Sequence, residues 1–95
     1  MEKYCIDVMK KDISGRFRLE RRGYVPDDVE GKEAVRFIRK SGLKAYVKKE
    51  WKEISEELDV GEEYLFTFFR EKRKRTGAIK SKKKLDSYRV EVVRG

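Results

Sequence analysis

Tyr4, Ile6 and Val8 alternate with Cys5, Asp7 and Met9, and after Asp12-Ile13-Ser14-Gly15 the alternation resumes with Phe17 and Leu19 between Arg16, Arg18 and Glu20. A period of two on either side of a glycine-containing turn predicts a β-hairpin, with Arg16 and Arg18 directed away from Phe17 and Leu19. Gly23 and Pro26 then punctuate the chain ahead of an acidic stretch from Asp27 to Glu33, where a break or a second short helix near 27–33 fits.

Residues 33–48 admit two readings. Ala34, Val35, Phe37 and Ile38 could line a helix that starts near Asp27 or Asp28 and stops at Gly42. Strands are preferred, because Ser41-Gly42 separates two short runs at hairpin spacing and places Leu43, Ala45 and Val47 on one face. Gly31 inside a helix would also cost roughly 1 kcal/mol.

From Lys49 the period changes. Trp51, Ile54 and Leu58 recur at helical spacing while Lys52, Glu53, Glu56 and Glu57 take the other side, which predicts a short amphipathic helix over 49–58 anchored by Trp51 and ended at Gly61. Tyr64 to Phe69 reads as a central strand, apolar on both faces, and Tyr88, Val90 and Val92 as the closing one. Tyr64, Phe66, Phe68 and Phe69 are assigned to the core in preference to a base-stacking platform. The elements add up to a mainly β fold, a small barrel of about six strands with one short helix. A faint echo supports it: Tyr24-Val25-Pro26 before Gly31-Lys32-Glu33 resembles Tyr46-Val47-Lys48 before Gly61-Glu62-Glu63, as two similar halves of a barrel would.

Ninety-five residues make one domain, 1–95. Eleven aromatic residues give it something to bury, so disorder throughout is excluded. Charged residues form 46% of the chain, a composition that resembles thermophile proteins with surface ion-pair networks. No apolar run approaches the ~20 residues of a membrane span, and the N-terminus has no signal-peptide pattern, which points to the cytoplasm and away from membranes. Cys5 is the single cysteine and there is no histidine, so an internal disulfide and an ordinary structural zinc site are ruled out; no cofactor is expected, and Cys5 reads as a core residue.

The formal charge is +8, and its location is informative. Arg70, Lys72, Arg73, Lys74, Arg75, Lys80, Lys82, Lys83 and Lys84 face a single acid, Glu71, between positions 70 and 84, so this segment alone carries +8 and the rest of the chain balances. With Thr76-Gly77-Ala78 at its middle, it predicts a projecting basic loop or hairpin arm. Cations that neutralise phosphates release condensed counterions, which makes nucleic acid the expected partner. Arg16, Arg18, Arg21 and Arg22 form a second basic group, which phosphates or the neighbouring acids could occupy. Lys44, with Lys40, Lys48 and Lys49, belongs to a third.

Leu43-Lys44-Ala45-Tyr46-Val47 through Trp51 and Ile54 to Leu58-Asp59-Val60-Gly61-Glu62-Glu63-Tyr64-Leu65-Phe66 resembles the swapped-hairpin AbrB family and, in Trp51, the plant B3 DNA-binding domain. Both share strand, short helix, Leu-x-x-Gly-acidic and strand; Lys48 stands where AbrB proteins usually have Pro, and Glu62 where they have Asp. The resemblance covers about a quarter of the chain. It implies a barrel that grips double-stranded DNA with projecting loops, a role in transcription regulation and, at B3-like length, a monomer.

Two other classes remain open: an RNA- or ribosome-associated module, which the basic segment suits equally, and a small metal-independent endoribonuclease toxin using Tyr88 and Arg89. Asp27 with Glu30-Gly31-Lys32 superficially resembles the Asp and Glu-x-Lys elements of metal-dependent nucleases, but those come from separate strands, which three residues cannot provide. With no histidine for acid–base work, a non-enzymatic binder is favoured.

Overall fold

A computed structural model describes residues 2–50, 54, 56 and 58–93. Among the described residues six elements follow one another: β1 (Glu2–Lys11), β2 (Phe17–Tyr24), α1 (Val29–Ser41), α2 (Leu43–Lys49), β3 (Glu63–Arg73) and β4 (Ile79–Glu91). The strands form one antiparallel sheet in the order β2-β1-β3-β4. The chain is therefore mainly β, but among the described residues it is an open four-stranded sheet with two edges, packed with α1 and α2, not the expected barrel of six strands.

The missing strands are the two helices. Asp28 caps α1, its Oδ1 accepting from the amide of Gly31 at 2.8 Å, and Gly42 (φ +92°) ends the helix with its amide on the Ile38 carbonyl at 2.7 Å. Ser41-Gly42 is thus a helix–helix junction, and the Ser-Gly pair that suggested a hairpin turn serves a helix C-terminus equally well, Gly42 taking a positive φ there. Ile38, Leu43 and Val47 are buried against the sheet and Val35 and Tyr46 partly so. That stripe follows the three-to-four-residue spacing that the strand reading set aside. The helix expected near 27–33 is the opening of this longer α1. Leu43–Lys49, read as a strand both in the hairpin and in the AbrB-like pattern, is α2. The echo loses its structural meaning, since its first copy runs from the end of β2 into α1 and its second from α2 to the start of β3. Of the helix predicted over 49–58, Trp51, Lys52, Glu53, Ser55 and Glu57 lie outside the described residues; Ile54 and Leu58 pack partly buried against the core.

Alternation sorts the sheet into two faces. Register pairs Ile6 with Phe68, Val8 with Phe66 and Tyr64 with Val90, and this side meets the helices to form the core. Tyr64, Phe66 and Phe68 are core residues, Tyr4 stacking on Phe68 with centroids 5.6 Å apart. The opposite face has no helix over it among the described residues. Phe69 lies there, as does Cys5, which is fully buried under neighbouring side chains; burial pushes its thiol pKa up, as for an inert residue. No helix among the described residues is long and apolar enough to cross a membrane.

Candidate nucleic-acid interface

The basic segment is the distal half of the β3–β4 hairpin. Arg70 to Lys72 still pair with Tyr4 to Glu2 of β1, so the sheet carries the segment that far and only the stretch from Arg73 to Ile79 continues as a two-stranded end. Its turn is closed by the Lys74 amide on the Ala78 carbonyl and the Gly77 amide on the Lys74 carbonyl, both at 2.9 Å, with Gly77 at φ +88°.

Strand alternation distributes the cations around this end. Arg70, Lys72 and Lys83 lie on the helix side by register, Arg73, Lys82 and Lys84 on the open side, Lys74 and Arg75 in the turn, and Lys80 at an irregularity of β4. Lys72, Lys74, Arg75, Lys80, Lys83 and Lys84 are exposed, and none makes a side-chain hydrogen bond or ion pair with a described residue. Lysines on β4, an edge strand, also discourage pairing with another sheet, but that role leaves Lys74 and Arg75 unexplained.

Other predicted contacts are committed inside the fold. Arg22 donates from Nε to Asp7 Oδ1 at 2.6 Å and from Nη2 to Oδ2 at 3.0 Å, and Lys82 reaches the same carboxylate at 3.4 Å while its Nζ sits 4.2 Å over the Phe69 ring. Arg73 donates to Glu71 Oε1, to the Tyr24 hydroxyl and to the Gly77 carbonyl at 3.2, 2.9 and 3.1 Å. Glu71 is fully buried and Asp7 nearly so. Burial would raise the Asp7 carboxyl, but the Arg22 hydrogen bonds and the Lys82 charge outweigh it and hold the pKa below the ordinary value. The same bonds raise Arg22, and Glu71 raises Arg73, so both cations stay charged.

The pair has a pH consequence. A carboxylate with a folded pKa below its unfolded value of about 3.9 contributes stability that is complete at neutral pH and lost as pH falls through the folded pKa. Asp7→Asn should therefore lower Tm at pH 7, with the gap to wild type closing towards pH 2. A gap independent of pH would show that Asp7 acts through packing alone.

The remaining candidates lie elsewhere. Arg16 and Arg18 flank the β1–β2 turn at the opposite end of the sheet, Arg18 held by Asp12 at 2.6 Å. Ser14 and then Arg18 hydrogen bonds keep the Asp12 carboxyl well below the usual range. At that end Lys10 pairs with Asp59 and Lys11 with Glu63. Arg21 points to the helix side by register with Val8, and Lys44 lies there too, its Nζ 5.9 Å from the Tyr88 ring. Tyr88 packs against the core while its neighbour Arg89 sits over Phe17, on the open face, so the two expected catalytic groups of the toxin reading occupy opposite sides of the sheet. Glu30-Gly31-Lys32 opens α1, and no group of three or more His, Cys, Asp or Glu among the described residues could hold a metal ion.

Sequence reasoning missed Asp7, Glu71 and Tyr24. The signal was available for Asp7, which alternates with the core residues Ile6 and Val8 and so falls beside Cys5 on the second face. For Glu71 and Tyr24 it was not, because their meeting at Arg73 depends on β3 lying beside β1. No family model, curated protein or solved structure matches the chain.

Proposed function

We propose that the protein binds double-stranded DNA as a monomer, with the distal β3–β4 hairpin in the major groove. The observation that supports this reading is the set of six exposed cations, none with a side-chain partner among the described residues, gathered on the distal half of one hairpin. Paired strands lie ~4.8 Å apart and, with side chains, suit the ~12 Å width of a B-form major groove. From Lys72 to Lys74, where the turn begins, the ribbon extends about 7 Å at ~3.3 Å per residue, and the turn over 74–78 lies beyond it, a reach comparable to a groove ~8.5 Å deep. Cations on both faces and at the tip suit a cleft walled by phosphates better than a flat surface. The deep, narrow major groove of duplex RNA would not admit such a ribbon. Against a single-strand platform, the open-face rings are already occupied: Phe17 by Arg89, Tyr24 by Lys3 and Arg73, Phe69 by Lys82. A role in transcription regulation would require sequence preference in addition, which the six cations alone do not supply.

Fluorescence anisotropy with duplex DNA, single-stranded DNA and duplex RNA of equal length tests the reading. Duplex DNA should bind at least ~10-fold tighter, with log K falling against log salt at a slope of about −5 for six phosphates. Tighter binding to duplex RNA would move the assignment to an RNA-associated module. Failure to bind any of them at low salt would end the proposal.

A further inference from the structure

Arg73 differs from its basic neighbours in every respect that matters for phosphate binding. Its side chain is only 20% exposed, and its guanidinium already serves three acceptors. One, Glu71, belongs to the same strand and is fully buried. The second, the hydroxyl of Tyr24, comes from β2, on the far side of β1. The third is the carbonyl of Gly77, the left-handed residue of the hairpin turn. A single planar fork thus ties the tip to the body of the sheet at two separate strands, and its carbon Cζ stacks 5.5 Å from the Tyr24 ring.

We infer that Arg73 is a positioning residue: with Glu71 and Tyr24 it forms a latch that holds the two-stranded tip in line with the sheet and so presents Lys74 and Arg75 in a fixed geometry. The inference rests on the DNA-binding reading for its functional consequence, though the latch itself does not. An isolated two-stranded end is marginal in water, since one face of cross-strand contacts hardly offsets the ordering of its residues. A tip that must be ordered on binding loses affinity by that cost; one ordered beforehand does not. Only arginine can fill the role, because lysine supplies the charge but not a fork that reaches three acceptors in one plane.

The distinction is measurable. Arg73→Lys keeps the charge, and Tyr24→Phe removes one exposed hydroxyl and leaves all cations in place, so neither alters the number of phosphate contacts. Both should weaken duplex DNA binding, Arg73→Lys by roughly 10-fold and Tyr24→Phe by ~3-fold, with the slope of log K against log salt unchanged. Lys74→Ser should instead flatten that slope by about 0.9. Hydrogen exchange of the free protein provides a reading that needs no DNA: the amides of Lys74 and Gly77, which close the turn, should exchange faster in Arg73→Lys and Tyr24→Phe than in wild type, while the β1–β2 turn amides of Asp12 and Gly15 stay unchanged. Equal exchange at Lys74 and Gly77 in all three proteins would overturn the latch whatever the DNA result. Wild-type affinity for Arg73→Lys combined with a slope lowered by about one in Arg73→Ser would do the same, and make Arg73 an ordinary phosphate contact. Should wild type bind no duplex while both variants speed exchange, the latch stands and the DNA-binding reading falls.

Discussion

Replacing Lys72, Lys74, Arg75, Lys80, Lys83 and Lys84 together with serine is expected to reduce affinity for duplex DNA roughly a thousandfold at low salt and to leave a nearly flat salt dependence. Each phosphate neutralised by a protein cation contributes about 0.9 to the slope of log K against log salt, and six such contacts account for changes of order 10³ across ordinary salt concentrations. The six positions are exposed, and substitutions at such sites ordinarily change stability by no more than ~0.5 kcal/mol. A loss of binding would then not reflect a loss of fold, which a thermal melt checks. The informative comparison is a second variant with six helix-side cations changed, Lys32, Arg36, Lys40, Lys44, Lys48 and Lys49. It lowers the formal charge of +8 by the same amount. If binding depended on overall field, the two variants would lose equally. If it depends on the hairpin end, the helix variant should lose about 10-fold or less and keep its slope. Equal losses would overturn the hairpin as the site while leaving a diffuse electrostatic attraction.

The contrast between the two variants shows what was legible in the sequence and what was not. The concentration of charge between Arg70 and Lys84 could be counted directly, because a run of cations without acids needs no structure to be seen. The division of that run into committed and uncommitted members could not. Lys82 and Lys84 look alike in sequence, yet Lys82 sits beside Asp7 and Phe69 whereas Lys84 has no side-chain partner among the described residues. Register irregularities in β4, between the positions facing Phe68 and Phe69 and again near Arg73, shift which lysines face which side, and simple alternation has no means of placing them. Arg22 illustrates the same limit. Pairing with neighbouring acids was the alternative to phosphate, but the carboxylate that holds Arg22 is Asp7, distant in sequence and adjacent only through the β1–β2 register.

The same physics explains the uneven success with the fold. The first hairpin and the apolar strand at Tyr64 to Phe69 announce themselves through local alternation. The stretch from Val29 to Lys49 has an apolar pattern compatible with both periods, and Ser-Gly at its centre suits either a hairpin or a helix end. What decided the outcome was the capping carboxylate of Asp28 at one end and the C-cap at Gly42, whose Leu43 amide is also taken by Asp86 Oδ2 at 2.6 Å from β4. That last contact is long-range and invisible in sequence. Gly31 weighed against a helix for a sound general reason, its lack of side chain, and here that lack is what the packing requires.

Gly31→Ala should therefore destabilise the protein, although the same exchange in an exposed helix interior stabilises by ~1 kcal/mol. A Cβ on Gly31 would lie 1.7 Å from the Pro26 carbonyl oxygen and 2.6 Å from its carbon, both backbone atoms with no rotamer to escape into. The segment cannot retreat cheaply, because the Val25 amide is bound to the Tyr4 carbonyl of β1 at 2.9 Å. Nor can the helix, whose N-cap bond from the Asp28 carboxylate ends on the Gly31 amide itself and whose next turns bury Ile38. Relief of the clash costs the cap, about 1 kcal/mol, together with part of the packing of α1 against the sheet. We expect a total near 3 kcal/mol, which for a domain of this size lowers Tm by roughly 12–24 °C. Lys32→Ala, one residue along and exposed, serves as the control and should leave Tm unchanged or slightly higher. A rise in Tm for Gly31→Ala would mean that α1 stands off from the Pro26 turn in solution, and the close approach that fixes the helix layer over the sheet would have to be abandoned.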